Sequence, residues 1–310
     1  MLKRLKYYWN RTAKSMTWDV AFRKRTADSI LSDMESPFIV MKTQDGTWAA
    51  DPFLFDYKDD TYIFYELFLE KKNKGVIACG RIVGDSVVDQ RIVLEESIHL
   101  SFPCIFKIEN DIYMIPETGS KHALYLYKCT SFPQKWTLVK VLKENIDSSD
   151  SIFINYKNEY YLLASVISGS PSEATNHLFR FDETTFELSD VYDKNEFSEC
   201  GIRNAGMIFS DHSNLYRPGQ NCPNKDYGKS LIMWQVHTIS NHCYEESKFK
   251  EISISDVKIK DDQTHNGIHT YNLSSRYEVI DLRKISKTPF LRRLNLFAFV
   301  FINRIKSDLR

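Results

Sequence analysis

The chain is short of everything that marks the commonest alternatives to a soluble β fold. It has 11 glycines and 9 prolines in 310 residues and no low-complexity tract, which argues against collagen-like or disordered architecture. Its longest uninterrupted apolar run, Leu296 to Ile302, is far below the roughly 20 residues a spanning helix needs. No secretory hydrophobic stretch follows Met1. The six cysteines (Cys79, Cys104, Cys129, Cys200, Cys222, Cys243) are scattered and none forms a CxxC pair, so neither a zinc knuckle nor a disulfide framework is expected. Free thiols without a leader point to a reducing cytoplasm. There is also no Gly-rich phosphate loop and no DxD-type metal motif on a nucleotide-binding pattern. No cofactor and no metal are expected.

Net charge is absent as well, but only in sum. The first 25 residues carry eight Lys or Arg against Asp19, and residues 283–310 carry eight against Asp308. Each end has a surplus of seven positive charges, which leaves fourteen negative ones on the body between. Nucleic acid would require the positive charge on the body, so it is not an expected partner. Two basic ends suit an anionic membrane surface, and the chain is expected to be peripheral at its cytoplasmic face. The ends carry aromatic and apolar residues (Tyr7, Tyr8, Trp9, Trp18; Phe297, Phe299, Phe301), and Pro289 suits a helix start. Both are read as helical segments that lie on the bilayer or dock on the body.

What the chain has in abundance is strand-forming residues, with 17 Tyr and 20 Phe, arranged in a repeat. Trp48-Ala49-Ala50-Asp51-Pro52-Phe53-Leu54-Phe55 leads through a polar turn to Tyr62-Ile63-Phe64-Tyr65-Glu66. The plan returns at Leu100–Phe106 with Tyr113–Glu117, at Asp150–Ile154 with Tyr161–Ala164, and at Asn204–Phe209 with Leu215–Gly219. A looser copy joins Asn266–Tyr271 to Tyr277–Ile280. Strands and turns recurring every 50 to 60 residues or so are the signature of propeller blades. The expected fold is all-β: a five-bladed β-propeller over 37–282, with a basic lead-in over 1–36 and a basic, apolar tail over 283–310.

Innermost strands of a propeller line one channel, so equivalent residues converge there. Matching the turns places Phe102, Asp150, Asn204 and Asn266 opposite Asp51. Asp51 and Asp150 are therefore candidates for a general base and its electrostatic partner, or for strand-start carboxylates that accept backbone N–H groups. Glu117 and its counterpart Glu66 end the second strands and are candidates for an acid or for holding sugar hydroxyls. Trp48 offers a flat apolar face to a sugar. Arg203 and Arg217 are read as phosphate or carboxylate clamps, or as counter-ions to the acids. His265 and His269 are candidate channel donors beside Asn266.

These residues make the chain resemble the five-bladed propellers of glycoside hydrolase family 43. It is still more similar to the propeller domain at the N-terminus of plant glucosamine inositolphosphorylceramide transferases. The motifs that carry the resemblance are Trp48-Ala49-Ala50-Asp51-Pro52-Phe53, Met114-Ile115-Pro116-Glu117-Thr118 and Arg203-Asn204-Ala205-Gly206. Tyr216-Arg217-Pro218-Gly219-Gln220 and Gly267-Ile268-His269-Thr270-Tyr271-Asn272 complete them. The resemblance implies that Asp51 is the general base of blade one and Asp150 the carboxylate that tunes the acid. It then breaks. The hydrolases place an acidic Glu before Gly-Pro in blade four, where this chain has Arg203-Asn204-Ala205, so Glu117 or Glu199 would have to supply the proton. A phosphate leaving group needs no such acid. The expected activity is glycosyl transfer in surface-polysaccharide or glycolipid assembly, on a sugar or glycan activated by phosphate. Hydrolysis of furanose or pentose sugars, and glycan binding without turnover, are the alternatives.

Overall fold

The computed structural model describes residues 14–26, 28–118, 121–167, 174–193, 201–261 and 264–288. Five four-stranded antiparallel sheets make up the ring. Blade one holds β3 (Thr47–Tyr57), β4 (Asp60–Leu69), β5 (Lys74–Val83) and β6 (Ser86–Leu94). Blade two runs through β7 (Ser101–Ile108), β8 (Asp111–Glu117), β9 (Ala123–Ser131) and β10 (Lys135–Glu144). Blade three comprises β11 (Ser148–Tyr156), β12 (Glu159–Ile167), β13 (Ala174–Phe181) and β14 (Leu188–Asp193). Blade four comprises β15 (Phe209–Asp211), β16 (Asn214–Asn221), β17 (Ser230–Ile239) and β18 (Tyr244–Ser253).

Blade five departs from the expected boundaries. Its inner strands β19 (Gly267–Leu273) and β20 (Tyr277–Lys287) are joined by β1 (Lys14–Lys24) and β2 (Ile39–Val40), in the order β19-β20-β1-β2. Residues 14–24, expected in a helical lead-in, form a strand that pairs with β20 along its whole length, from Lys14 with Lys287 to Lys24 with Tyr277. The physical reason is the edge. The ring closes when the last blade is completed by the other end of the chain, and β1 covers the long edge that β20 would otherwise present. The sequence agrees with this: Trp18, Val20 and Phe22 are buried on one face, with half-buried Thr17 and Asp19 and the buried Ala21 alternating on the other. The expected helices over 1–13 and 289–310 lie outside the described residues.

Aromatic and aliphatic side chains fill the spaces between blades. One cluster runs from blade one to blade four around Phe53, Phe64, Phe102, Phe106 and Phe153, with Phe106 stacked on Phe153 at 3.8 Å. A second, around Phe38, Phe209, Tyr271 and Leu282, joins blades four and five. A third, around Val20, Phe22, Ile63 and Tyr65, seals blade five to blade one.

One feature of the register positions the functional residues. In blade one Ala50 pairs with Glu66 and Phe53 with Phe64, so Asp51 and Pro52 together oppose Tyr65 alone. The same bulge recurs at Phe102–Pro103, Asp150–Ser151 and His269–Thr270. Asp51, Phe102 and Asp150 sit at φ of 49°, 44° and 49°, a left-handed conformation that costs about 1–3 kcal/mol for a non-glycine residue. A bulge re-aims side chains and is over-represented beside active sites. The register also corrects the matching made from turn spacing. The blade-five counterpart of Asp51 is His269, not Asn266, whereas in blade four Asn204 keeps the matching position, its N–H directed at the second strand of the preceding blade as that of Asp150 is.

Candidate active site

Each bulge removes a backbone N–H from its ladder, and a side chain from a neighbouring strand accepts it. Asp51 N–H donates to Asp281 Oδ2 at 3.0 Å, and Asp150 N–H donates to Glu117 Oε2 at 3.2 Å. Phe102 N–H donates to Asp51 Oδ2 at 3.3 Å, and Asn204 N–H to Ser165 Oγ at 3.1 Å. The buried carboxylates are thus tied to the blade seams, which holds them in place for chemistry.

They line a pocket of about 490 Å³ at the end of the ring where the innermost strands begin. Its wall includes Asp51, Glu66, Glu117 and Asp150, the cation Arg203, and the rings of Trp18, Trp48, His99, Tyr227 and His269. Deeper in the ring, contacts join blade two to blade four and blade five to blade one. Cys104 Sγ lies 3.5 Å from Met207 Sδ, and Asn272 Nδ2 donates to Pro52 O at 2.8 Å. The size falls within the range of small-molecule sites, and the mixture of flat rings and carboxylates suits a polyol.

The four carboxyl groups fall into two kinds. The first kind is paired with a cation. Asp51 Oδ1 lies 3.2 Å from His269 Nε2, and Asp281 Oδ2 lies 2.7 Å from His269 Nδ1. Burial alone would discharge this imidazole, but the two carboxylates push its pKa well above the ordinary value, so it holds both protons. Its charge in turn holds Asp281 below the usual carboxylate range against the opposing effect of burial. Trp18 stacks on the ring at 4.1 Å. Asp150 Oδ2 accepts from Arg203 Nε at 2.7 Å and lies 2.6 Å from the adjacent guanidinium nitrogen. Burial raises the Asp150 pKa and Arg203 opposes that rise.

The second kind keeps its proton more readily. Burial first, then the charge of Asp150, push Glu117 well above its ordinary pKa, with Arg203 at 4.0 Å opposing. Burial also raises Glu66, opposed by the hydrogen bond from His99 at 3.2 Å. Gly75 N–H donates to His99 Nδ1 at 2.9 Å, which leaves Nε2 as the nitrogen that donates to Glu66. Carboxyl groups whose surroundings push their pKa values apart are what acid–base chemistry requires.

Asp51, His269 and Asp281 each present one ligand-type atom within 4.8 Å of the others.

Of the residues singled out from sequence, Trp48, Asp51, Glu66, Glu117, Asp150, Arg203 and His269 meet in this pocket. The others do not. Arg217 is wholly buried in blade four, where it binds Glu246 at 2.8 and 2.5 Å, Asn204 Oδ1 at 3.1 Å and the carbonyls of Gly201 and Ile202. Asn204 donates to Asp150 O and Leu163 O, so it props the blade-three bulge from behind. Asn266 accepts from Arg283, and His265 contacts Asp19 Oδ2 at 2.9 Å. Arg283 also reaches Asp226 and Tyr227 O, which fixes the loop that carries Tyr227 into the pocket. Glu199 lies outside the described residues.

Sequence reasoning missed Trp18, His99, Tyr227 and Asp281. Trp18 was assigned to the lead-in, and His99 and Tyr227 lie in loops that do not repeat. Asp281 had a usable signal, because a carboxylate interrupts the apolar run Val279–Leu282 at the centre of a buried strand.

Comparison with known proteins agrees with this architecture. A family model described as glucosamine inositolphosphorylceramide transferase 1, N-terminal, matches residues 8–294. Glucosamine inositolphosphorylceramide transferase 1 of Oryza sativa subsp. indica is 31% identical over 248 residues, covering 77% of this chain and 32% of the relative. The Arabidopsis thaliana protein of the same name is 28% identical over 250 residues, covering 78% and 31%. The chain thus spans about a third of the length of these curated relatives. Among solved structures, the catalytic domain of a Coprinopsis cinerea GH62 α-L-arabinofuranosidase superposes with a TM-score of 0.57 at 9% identity, covering 80% of this chain and 95% of that one. At that identity the likeness is one of fold.

Proposed function

The chain belongs to the family of the N-terminal region of glucosamine inositolphosphorylceramide transferase, and on that premise we propose that its pocket holds a sugar during glycosyl transfer in glycolipid or surface-polysaccharide assembly. One observation carries the reading: two cation-paired aspartates and two glutamates whose pKa burial raises face the same aromatic-walled pocket. The names of the relatives support a sugar and a lipid-linked partner.

In this reading the sugar lies against Trp48 and Trp18. Asp51 accepts the proton of the attacking hydroxyl, and the His269 imidazolium beside it stabilises the site as that proton moves. Glu117 donates a hydrogen bond to a sugar oxygen or a proton to the leaving group. Arg203 is the guanidinium on the pocket wall and the group that would face a phosphate on the donor. With Asp150 already on its guanidinium, and carboxyl groups on most of the wall, that phosphate would sit at the mouth rather than at the floor. The proposed location is the cytoplasmic face of an anionic membrane.

Hydrolysis is the second reading, and the raised pKa of Glu117 favours it, because a protonated carboxylic acid is what a glycosidic leaving group requires. A thermal-shift and turnover screen separates the two. Purified protein, Asp51→Asn and Arg203→Gln are tested with nucleotide sugars, polyprenyl-phosphate analogues and free pentoses and hexoses. Transfer predicts stabilisation by a phosphate-bearing donor, weakened by Arg203→Gln, and turnover lost in Asp51→Asn while binding remains. If only free sugars stabilise the protein and phosphates do nothing, transfer falls. Release of reducing sugar would then establish hydrolysis, and binding without turnover would leave a glycan-binding module.

A further inference from the structure

One wall of the pocket is built by a loop that does not repeat from blade to blade. Between β16 and β17 the chain turns through Pro223–Lys225 and then carries Asp226-Tyr227-Gly228 across to blade five. Two features hold it there. The buried guanidinium of Arg283, on β20, donates to Asp226 Oδ1 at 2.6 Å and to Tyr227 O at 2.5 Å, while Asn266 engages its remaining nitrogens. Gly228 lies so close to Trp18 that an ideal Cβ would stand 2.2 Å from the indole, and its φ of +68° is one that glycine adopts readily. Tyr227 sits between these two anchors, so its backbone is fixed from both sides.

The Tyr227 ring is wedged among the groups that the chemistry uses. It meets the Trp18 ring edge-on at 6.0 Å and the His269 ring at 5.2 Å, and the Arg203 guanidinium lies 5.5 Å over its face. All three line the pocket with it. Burial pushes the phenol well above its ordinary pKa; Arg203 opposes this, and the carboxyl groups of Asp51, Asp150 and Glu117 add to it. At neutral pH the group is therefore an O–H donor.

Five other tyrosines buried in the blades each give that proton to a side chain. Tyr271, Tyr244, Tyr161 and Tyr127 donate to Glu278, Glu246, Glu159 and Glu96, and Tyr65 donates to Gln90. The Tyr227 hydroxyl has no such acceptor among the described residues, although a phenol held away from bulk water ordinarily finds one.

Resting on the sugar-pocket reading above, we infer that Tyr227 is a substrate-binding residue whose hydroxyl donates a hydrogen bond to one hydroxyl oxygen of the bound sugar and so helps to select which sugar the pocket accepts. A sugar hydroxyl both gives and takes a hydrogen bond. Ionised carboxylates on the wall can accept its proton but donate nothing in return. Arg203 is engaged by Asp150, and His269 by Asp51 and Asp281. Tyr227 supplies a donor that no protein group has taken. A sugar without the matching hydroxyl leaves that donor unsatisfied, which is the arrangement that discriminates most sharply between related substrates.

Tyr227→Phe tests this, because it removes one oxygen and keeps the packed ring. Wild type and variant are titrated by tryptophan fluorescence with the nucleotide sugars, free pentoses and free hexoses of the screen above, and then with monodeoxy forms of the tightest binder. Tyr227→Phe is expected to bind that sugar about tenfold more weakly. It is expected to melt within about 1 °C of wild type, since no bond inside the protein is lost. One monodeoxy sugar should lose the same factor against wild type and nothing further against Tyr227→Phe, which marks the hydroxyl that Tyr227 reads. Equal affinity of the two proteins for the parent sugar would overturn the inference and leave the pocket reading standing. So would a loss in Tyr227→Phe that every monodeoxy sugar shares in full, because that reports an altered pocket shape rather than a hydrogen bond. If no sugar in the panel binds wild type, the pocket reading itself falls and the inference falls with it.

Discussion

Arg203 is the single side chain whose removal tests the electrostatics of the pocket most directly. Its guanidinium binds Asp150, whose side chain is 3% exposed, and lies 5.5 Å over the Tyr227 ring. Arg203→Ala leaves that carboxylate buried without a cation, a change that typically costs about 3–5 kcal/mol. Unfolding entropy near 2.1 cal/mol/K per residue gives about 0.65 kcal/mol/K for a chain of this length, so the melting temperature should fall by about 5–8 °C. The pH dependence has a definite sign. Burial already raises the Asp150 pKa and Arg203 opposes that rise, so without Arg203 it climbs further. Below that pKa Asp150 is neutral and needs no partner, hence the deficit shrinks as pH falls and is largest at neutral and alkaline pH. Thermal melts of wild type, Arg203→Ala, Asp150→Asn and the double variant across this range measure both effects. Asp150→Asn should recover part of the loss in the Arg203→Ala background. A deficit under about 2 °C at every pH, or a double variant as unstable as the sum of the singles, would refute the buried-pair argument.

Glu117 gives a complementary profile. Its folded-state pKa is raised, so the native state binds more protons above the unfolded value, and wild-type stability is lost as pH rises through that window. Glu117→Gln should therefore gain stability on wild type as pH rises from acid to neutral, and melting curves that stay parallel across pH would contradict this. Gly228 sits at φ +68° with an ideal Cβ only 2.2 Å from Trp18 Cη2. Gly228→Ala is expected to displace Trp18 from His269, lower stability by about 1–3 kcal/mol and weaken sugar binding, read by tryptophan fluorescence and titration. Arg217→Ala should cost about 3–5 kcal/mol by leaving the largely buried Glu246 without its cation, yet leave sugar affinity of the folded fraction unchanged. A stable Arg217→Ala protein that no longer binds sugar would place Arg217 in the site after all.

The repeat was legible in the sequence because it is a local property. Alternating apolar residues, turn residues and a strand-start carboxylate recur along the chain whatever their neighbours in space, and they were enough to recognise five blades and to single out Asp51, Asp150 and Glu117. What the sequence alone could not decide depends on pairing between distant segments. The fifth blade is completed by β1 because Trp18 lies opposite Arg283. His269 rather than Asn266 faces Asp51 because a bulge two residues wide shifts the register. Arg203, in the segment that leads into β15, and Arg217, on β16, are the same residue type in one blade. One ends on the pocket wall beside Asp150, and the other is sealed under Trp234 against Glu246. Local periodicity names the strands, whereas register, burial and the charges that surround a side chain exist only once the ring has closed.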